Sequence, residues 1–143
     1  MAAIDRATFA ERAARVERHL RRVQDRLPED PNGLSPVSDA TDAVVLHLWL
    51  AVQGVIDMAT AMCVHRGLGV PPTYGDAFRL LASDGVLDSD LAARLARAAG
   101  FRNLIVHAYA DLDLEQVHTI ASYGPDDLRA FLHAGQSTLD EPA

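Results

Sequence analysis

Lysine is absent from this chain of 143 residues, so all 13 of its basic side chains are arginines. Acidic residues number 20, which gives a formal net charge of −7 at pH 7. Such a chain offers nucleic acid no broad attractive field, and this excludes a protein that coats nucleic acid generally. Seven of the arginines nevertheless lie within residues 1–27 and outnumber the acids there. The sequence therefore allows one local basic surface, with a solvated face of mixed charge as the simpler interpretation.

Cysteine is almost absent as well, since Cys63 is the only one. It cannot form an internal disulfide, and its position in an apolar run favours a buried structural thiol. A chain without disulfides suits a reducing compartment. The first residues are charged and include no apolar signal segment, so we expect a cytoplasmic protein.

The sequence also lacks the motifs of several large enzyme classes. It contains no glycine-rich phosphate loop, no nucleophile elbow and no His-Glu-x-x-His motif. His47 and His65 lie on one predicted helix, but their only neighbouring ligand type is Cys63, and this spacing is not that of a metal site. We therefore expect neither a metal nor a cofactor.

No segment shows the alternation of a strand, and apolar residues recur instead with helical spacing. We predict an all-α bundle of four to five helices, forming one domain over residues 1–135 with a flexible polar tail over residues 136–143. Asp39 or Thr41 is expected to open the second helix, and Ser89 is expected to cap the fourth. Six helical segments are predicted, and four to five of them are expected to pack as the bundle. The segments cover residues 7–27, 39–66, 74–83, 90–110, 114–122 and 125–134, the last two being short helices separated by Gly124-Pro125.

Residues 43–64 form an apolar run that is long enough to cross a bilayer. His47, Gln53 and Asp57 interrupt the run, and an acid near the middle of a membrane helix costs several kcal/mol. We therefore expect a central helix that is covered by its neighbours, with no membrane association. The run is apolar nearly all round, which one small protomer does not cover fully, and this favours a two-fold dimer.

The most informative segment is the octapeptide 102–109, which reads Arg-Asn-Leu-Ile-Val-His-Ala-Tyr. Arg102 offers a fork of donors for a phosphate, His107 can transfer a proton near neutral pH, and Tyr109 adds a phenol. Metal-free RNA cleavage needs a base for the 2′-hydroxyl and a positive charge on the phosphate. The same three residue types also occur on the surface of ordinary amphipathic helices, so the set alone does not decide between the two interpretations.

The spacing of the octapeptide raises a geometric question. An ideal α-helix separates Arg102 and His107 by about 140° around its axis and about 7.5 Å along it, whereas Tyr109 faces nearly the same way as Arg102. One straight helix therefore does not bring the three side chains to one point. The reach of arginine, a bend at Gly100 or a second copy of the chain in a dimer would each resolve this, and the spacing does not choose among them.

The octapeptide resembles the signature of the HEPN superfamily, specifically of the HepT-type toxins, which carry Arg-x4-His-x-Tyr. Gly100-Phe101 directly before the motif also fits this family, and the resemblance extends over about residues 39–132. Further segments that resemble the family are Gln53–Ala59 (its Asp-bearing second long helix), Pro72–Leu81 (its Pro-x-Ser/Thr-Tyr segment), and Val117, Ile120, Asp127-Leu128 and Phe131 (its closing helices).

This resemblance implies a HEPN-type up-down bundle that pairs as an antiparallel homodimer, with two copies of the motif along one cleft. It also implies a metal-independent endoribonuclease without a cofactor, in which RNA is the substrate and Arg102 and His107 are catalytic. Asp57 and Asn103 are candidates for holding the catalytic side chains in place. For Asp57, an acid that faces a solvent groove or bonds a local group is an equal alternative.

The resemblance further implies a protein partner. HepT-type toxins are commonly encoded beside a small nucleotidyltransferase antitoxin of the MntA type, in a type VII-like toxin–antitoxin pair. The antitoxin can transfer AMP to the motif tyrosine, here Tyr109, which would block the cleft with bulk and phosphate charge. Some HEPN relatives are instead non-catalytic adaptors that bind such a nucleotidyltransferase. The acidic charge leaves this alternative open, whereas the intact set of Arg102, His107 and Tyr109 favours the nuclease.

Overall fold

The structure, a computed structural model, describes residues 4–141 and consists of helices joined by short loops. No strand occurs within these residues, so the predicted all-α class and the bundle of four to five helices are confirmed. Two short 3₁₀ turns, Pro31–Gly33 and Tyr109–Asp111, complete the described chain. The five α-helices are α1 (Arg6–Arg26), α2 (Asp39–His65), α3 (Tyr74–Ser83), α4 (Ser89–Ala108) and α5 (Leu114–Asp140).

Each helix begins at a side chain that accepts a hydrogen bond from the backbone of its first turn, as N-caps do. The caps of α2 and α4 are Ser38 and Asp88. Helix α2 thus begins at Asp39, as predicted, whereas the cap of α4 lies one residue before the predicted Ser89. Gly67 and Gly85 follow the C-caps of α2 and α3, and their φ angles of 75° and 84° favour glycine. The caps of the other three helices are Asp5, Thr73 and Asp113.

Helix α2 is the centre of the fold, because it packs against α1, α3, α4 and α5. Its length and composition alone would allow it to cross a membrane. Its apolar side chains instead join one connected core, in which Phe78 of α3 and Phe131 of α5 meet edge to face with their ring centroids 5.9 Å apart. The prediction of a central helix covered by its neighbours is confirmed.

The prediction of two short helices separated by Gly124-Pro125 is wrong, because α5 runs without interruption from Leu114 to Asp140. Proline within a helix removes a hydrogen bond and costs about 3 kcal/mol. The helix nevertheless continues, because buried side chains before and after Pro125 enter the same core. These buried residues of α5 include Val117, Ala121, Leu128 and Phe131.

The C-terminal residues also differ from the expected flexible tail, because residues 136–140 belong to α5. Leu139 packs against the core, and Asp140 forms an ion pair of 2.9 Å with Arg6 of α1. Gly135 lies so close to α1 that an added Cβ would be 2.5 Å from the ring of Phe9. The end of α5 is therefore fixed against the start of α1. The parts of the predicted domain and tail that fall on residues 1–3 and 142–143 lie outside the described residues.

Candidate active site

The octapeptide forms the last two turns of α4 and the residue that follows it. Helix α4 continues through Gly100 without a break. The helix ends at Ala108, whose φ and ψ angles of −141° and 36° are not helical, and Tyr109 begins a 3₁₀ turn. The helix therefore ends two residues before the predicted end at residue 110. Tyr109 is released from the register of α4 and turns toward α2.

Arg102 is held by side chains from three helices. Its Nε donates a hydrogen bond to Gln53 Oε1 of α2 at 2.5 Å, and its Nη1 donates to Asn103 Oδ1 at 3.0 Å. The guanidinium also lies over the ring of Tyr74, which belongs to α3, 5.1 Å from the ring centroid. Arg102 is only partly exposed. The protomer therefore fixes the position of this cation before any ligand binds.

Asp57 acts on Arg102 through Gln53. Its exposed carboxylate accepts a hydrogen bond of 2.9 Å from Gln53 Nε2. A carboxylate accepts only from the amide nitrogen, so this bond turns the amide oxygen of Gln53 toward the guanidinium. Asp57 has no direct hydrogen bond to Arg102 or His107 in the described chain. Asn103, by contrast, contacts Arg102 directly.

The environment of His107 differs from that of Arg102. Its side chain is exposed and forms no hydrogen bond with any residue of the described range 4–141. Because α4 is continuous between Arg102 and His107, the angular separation of about 140° expected for an ideal helix is kept. One protomer therefore presents the arginine and the histidine on different sides of α4.

Tyr109 reaches across to the start of α2, where its hydroxyl donates a hydrogen bond of 2.6 Å to Asp42 Oδ1. This bond and partial burial raise the pKa of Tyr109 above its usual value, because both favour the neutral phenol. The side chain remains half exposed. It borders an apolar groove of about 480 Å³ between α2 and α4, which Leu46 and Val106 also line.

The sequence did not identify three of the residues that shape this site, namely Gln53, Tyr74 and Asp42. One signal was present for Gln53, because it lies four residues before Asp57 in an otherwise apolar helix and thus on the same face. The sequence indicated Tyr74 only as part of the family-like segment Pro72–Leu81, and no signal existed for Asp42. Both contacts depend on how α3 and the start of α2 pack against α4. Among the described residues, no group of three or more potential metal ligands occurs.

The profile of the ribonuclease HepT-like family matches residues 16–134, a span that includes the whole octapeptide. The chain belongs to the ribonuclease HepT-like family. The resemblance inferred from the octapeptide is thereby confirmed, as is the predicted class of enzyme, an endoribonuclease.

Individual relatives of this HepT-like chain agree with the family assignment. The chain is similar to the mRNA nuclease HepT of Shewanella oneidensis, with 28% identity over 119 residues that cover 83% of this chain and 89% of the relative. It is also similar to the solved structure of the tri-AMPylated Shewanella oneidensis HEPN toxin in complex with MNT antitoxin. The TM-score is 0.81 at 26% identity, and the match covers 90% of this chain and 96% of that one.

A third similarity concerns the fold alone. The cytosolic protein of unknown function YutE from Bacillus subtilis matches this HepT-like chain with a TM-score of 0.81 at 17% identity. The match covers 98% of this chain and 94% of YutE. The HEPN-type fold predicted from the octapeptide and its flanking segments is thus confirmed.

Proposed function

We propose that this protein is a metal-independent endoribonuclease toxin that cuts mRNA, with Arg102 and His107 as its catalytic residues. The single observation that carries this proposal is the preorganised guanidinium of Arg102. Its Nε and one N–H of Nη1 are used by Gln53 and Asn103, which leaves three of its five N–H donors for a phosphate. A fixed cation of this kind stabilises the charge that develops on phosphate oxygens during cleavage.

His107 supplies the proton transfer. Its exposed imidazole removes the proton of a ribose 2′-hydroxyl, and the 2′-oxygen attacks the adjacent phosphorus. The bond from phosphorus to the 5′-oxygen breaks, and a proton is returned to that leaving oxygen. Arg102 balances the negative charge on the two non-bridging oxygens throughout. The mRNA substrate is proposed from the similarity to the mRNA nuclease of Shewanella oneidensis.

The site is completed in a homodimer, in which Arg102 of one protomer acts with the partner's His107. This is supported by their placement on different sides of α4 and by exposed apolar side chains around the octapeptide. Leu104 and Val106 of α4 and Leu46 of α2 are 40–44% exposed, an unfavourable state that a second copy would relieve. Sedimentation at micromolar concentration tests this arrangement, and a protein that stays monomeric contradicts it.

Control of the toxin is proposed to occur at Tyr109 in the cytoplasm. A cognate MntA-like nucleotidyltransferase would transfer AMP from ATP to the half-exposed hydroxyl, with release of pyrophosphate. This is supported by the similarity to a tri-AMPylated HEPN toxin in complex with its MNT antitoxin. The added phosphate would break the hydrogen bond to Asp42 and place negative charge and bulk beside the RNA-binding cleft.

Intact-mass analysis tests this control. Incubation with the cognate nucleotidyltransferase, ATP and magnesium is expected to add AMP units to the wild type and none to Tyr109→Phe. Equal addition to both proteins would place the modification elsewhere. If no AMP is added to the wild type, any inhibition by the nucleotidyltransferase must come from complex formation alone.

A non-catalytic adaptor for a nucleotidyltransferase is the second candidate, and the net charge of −7 is the observation that favours it. Incubation of the purified wild type with cellular mRNA in excess EDTA separates the two candidates. Cleavage that persists in EDTA supports the metal-independent nuclease. Intact RNA together with a stable nucleotidyltransferase complex supports the adaptor.

A further inference from the structure

Helix α1 concentrates positive charge that the protomer does not neutralise. Seven arginines lie on this helix, and within residues 4–141 only Arg6 and Arg15 of the seven form ion pairs. The contact of Arg15 with Glu11 is long, at 3.4 Å, and exposed. Outside α1, by contrast, four of the six arginines bind carboxylates. These four are Arg66, Arg79, Arg94 and Arg129.

Much of this charge falls on one face of α1. At about 100° per residue, five cationic or titratable side chains lie within about 80° of one another, and none of the acids of α1 falls inside this arc. The row extends for about 21 Å along the helix axis. We call it the basic stripe, and its members are Arg12, Arg15, His19, Arg22 and Arg26.

His19 is the member of the basic stripe that contacts α2, where it meets a second histidine. His19 stacks on His47 with ring centroids 5.3 Å apart, and their Nδ1 atoms share a hydrogen bond of 3.0 Å. Burial lowers the pKa of both histidines, and the charge of Arg22 lowers it further at each ring. Arg26 adds to the effect at His47. The arginines beside the two rings place positive charge at this point, which favours an anionic ligand over a metal cation.

The basic stripe also leads to the candidate active site. A groove of about 450 Å³ lies between the two helices, with Arg12 and Arg15 on its α1 side and Gln53 and Asp57 on its α2 side. Gln53 is the residue that accepts the hydrogen bond of Arg102 Nε. Among the described residues, Asp57 is the one acid that lines the groove, and its carboxylate accepts a hydrogen bond from Gln53 Nε2.

We propose that the basic stripe of α1 binds successive phosphates of the RNA strand and guides it into the site of Arg102. This inference rests on the proposed ribonuclease function. A row of exposed arginines about 21 Å long matches a chain of phosphates rather than one small anion. Its continuity with Arg102 favours RNA over an acidic protein surface as the ligand. It also explains how a protein of net charge −7 holds a polyanion.

The test compares two double variants of equal charge. Arg12→Gln/Arg22→Gln removes two members of the basic stripe. Arg18→Gln/Arg21→Gln is the matched control, because these arginines lie on the same helix outside the 80° arc, are exposed, and form no ion pair within residues 4–141. Each pair is made in the His107→Ala background, which prevents cleavage during binding. Affinity for a labelled single-stranded RNA is then measured by fluorescence anisotropy across a salt series.

We expect the stripe variant to bind RNA about tenfold more weakly, with a salt dependence of log K reduced by about 1.4 because two phosphate contacts are lost. The control is expected to keep the affinity and salt slope of its parent. Equal weakening of both variants would overturn the proposal, since it would show a general charge effect. An unchanged RNA affinity together with lost binding to the cognate nucleotidyltransferase would assign the stripe to a protein partner instead.

The same variants in the wild-type background separate this inference from the proposed function. We expect the stripe variant to have a lower kcat/KM for RNA cleavage than the control. Cleavage by the wild type with equal kcat/KM in both variants would refute the basic stripe while the ribonuclease stands. A wild type without cleavage would refute the function, and the anisotropy measurement would still decide whether the stripe binds RNA.

Discussion

The two ends of the octapeptide are built differently. Arg102 is bound by Gln53, Asn103 and the ring of Tyr74 before any substrate arrives. His107, on the next turns of the same helix, forms no hydrogen bond with the described residues and is exposed. The charge that must meet a phosphate is thus preorganised by one protomer, whereas the proton-transferring group takes its final position from what binds over it.

The largest effect should come from removing either catalytic side chain. His107→Ala and Arg102→Ala are each expected to lower RNA cleavage by about 10²–10⁴, the usual loss for a positioned proton-transfer or charge-stabilising group. The two variants are expected to differ in thermal stability. Thermal melting should leave His107→Ala unchanged, because the histidine has no partner to lose, and should show a small loss for Arg102→Ala. Wild-type cleavage by His107→Ala would refute the assignment of the active site.

The next largest effect should come from removing a hydrogen-bond partner of Arg102. Gln53→Leu removes the acceptor of Arg102 Nε and is expected to reduce kcat by about ten- to a hundredfold, as misplaced catalytic groups do. The double variant Gln53→Glu/Asp57→Asn keeps the net charge and exchanges the acid and the amide. The new carboxylate at position 53 accepts a hydrogen bond from Arg102, and the new amide at position 57 donates one to that carboxylate. We expect the double variant to recover most of the activity.

This rescue separates positioning from mere packing. A structural role for Gln53 would appear as a lower melting temperature in both variants, without a difference between them in kcat. Equal loss of kcat in Gln53→Leu and in the double variant would contradict the role assigned to Asp57.

A smaller effect is expected from the hydrogen bond of Tyr109, at the C-terminal end of the octapeptide. Asp42→Ala removes the acceptor of the Tyr109 hydroxyl, and we expect the pKa of this phenol to fall toward its usual value because the bond that favours its neutral form is lost. The free energy of unfolding should decrease by no more than about 1 kcal/mol, since the bond is exposed. Ultraviolet titration measures the phenol, and Tyr109→Phe identifies its contribution. An unchanged titration curve would show that the hydrogen bond does not persist in solution.

The smallest expected effect is a pH dependence of stability that comes from the pair of His19 and His47. The pKa values of His19 and His47 are lowered below 6.5 in the folded protein by burial and nearby positive charge. Well above pH 6.5 both histidines are neutral in the folded and unfolded chain. Below it the unfolded chain binds protons first, so stability should fall as the pH decreases from 6.5.

Melting temperatures measured between pH 6.5 and about 5 test this dependence. The decline should be shallower in His19→Gln/His47→Gln than in the wild type. His65→Gln, which alters a histidine outside the pair, should retain the wild-type slope. The same slope in all three proteins would remove the histidine pair as its cause.

The sequence predicted the presence of the helices better than it predicted where they end. Apolar spacing located α1 to α4 within a few residues, because each buries one continuous set of side chains. It failed at Pro125, where local preference indicates a break but burial on both sides of the proline stabilises one helix. Arg102, His107 and Tyr109 could be found from their types and spacing. Gln53 and Tyr74 could not be placed beside Arg102, since their contacts depend on packing between helices.

Arg102 and the partner's His107 are proposed to act together in one site, and a subunit-mixing experiment tests this. Arg102→Ala and His107→Ala, each inactive alone, are mixed in equal amounts and allowed to exchange subunits. A mixed dimer contains one site in which the intact arginine of one protomer meets the partner's intact histidine, so the mixture should regain about a quarter of the wild-type rate. Mixed dimers that form but cut no RNA would contradict the account.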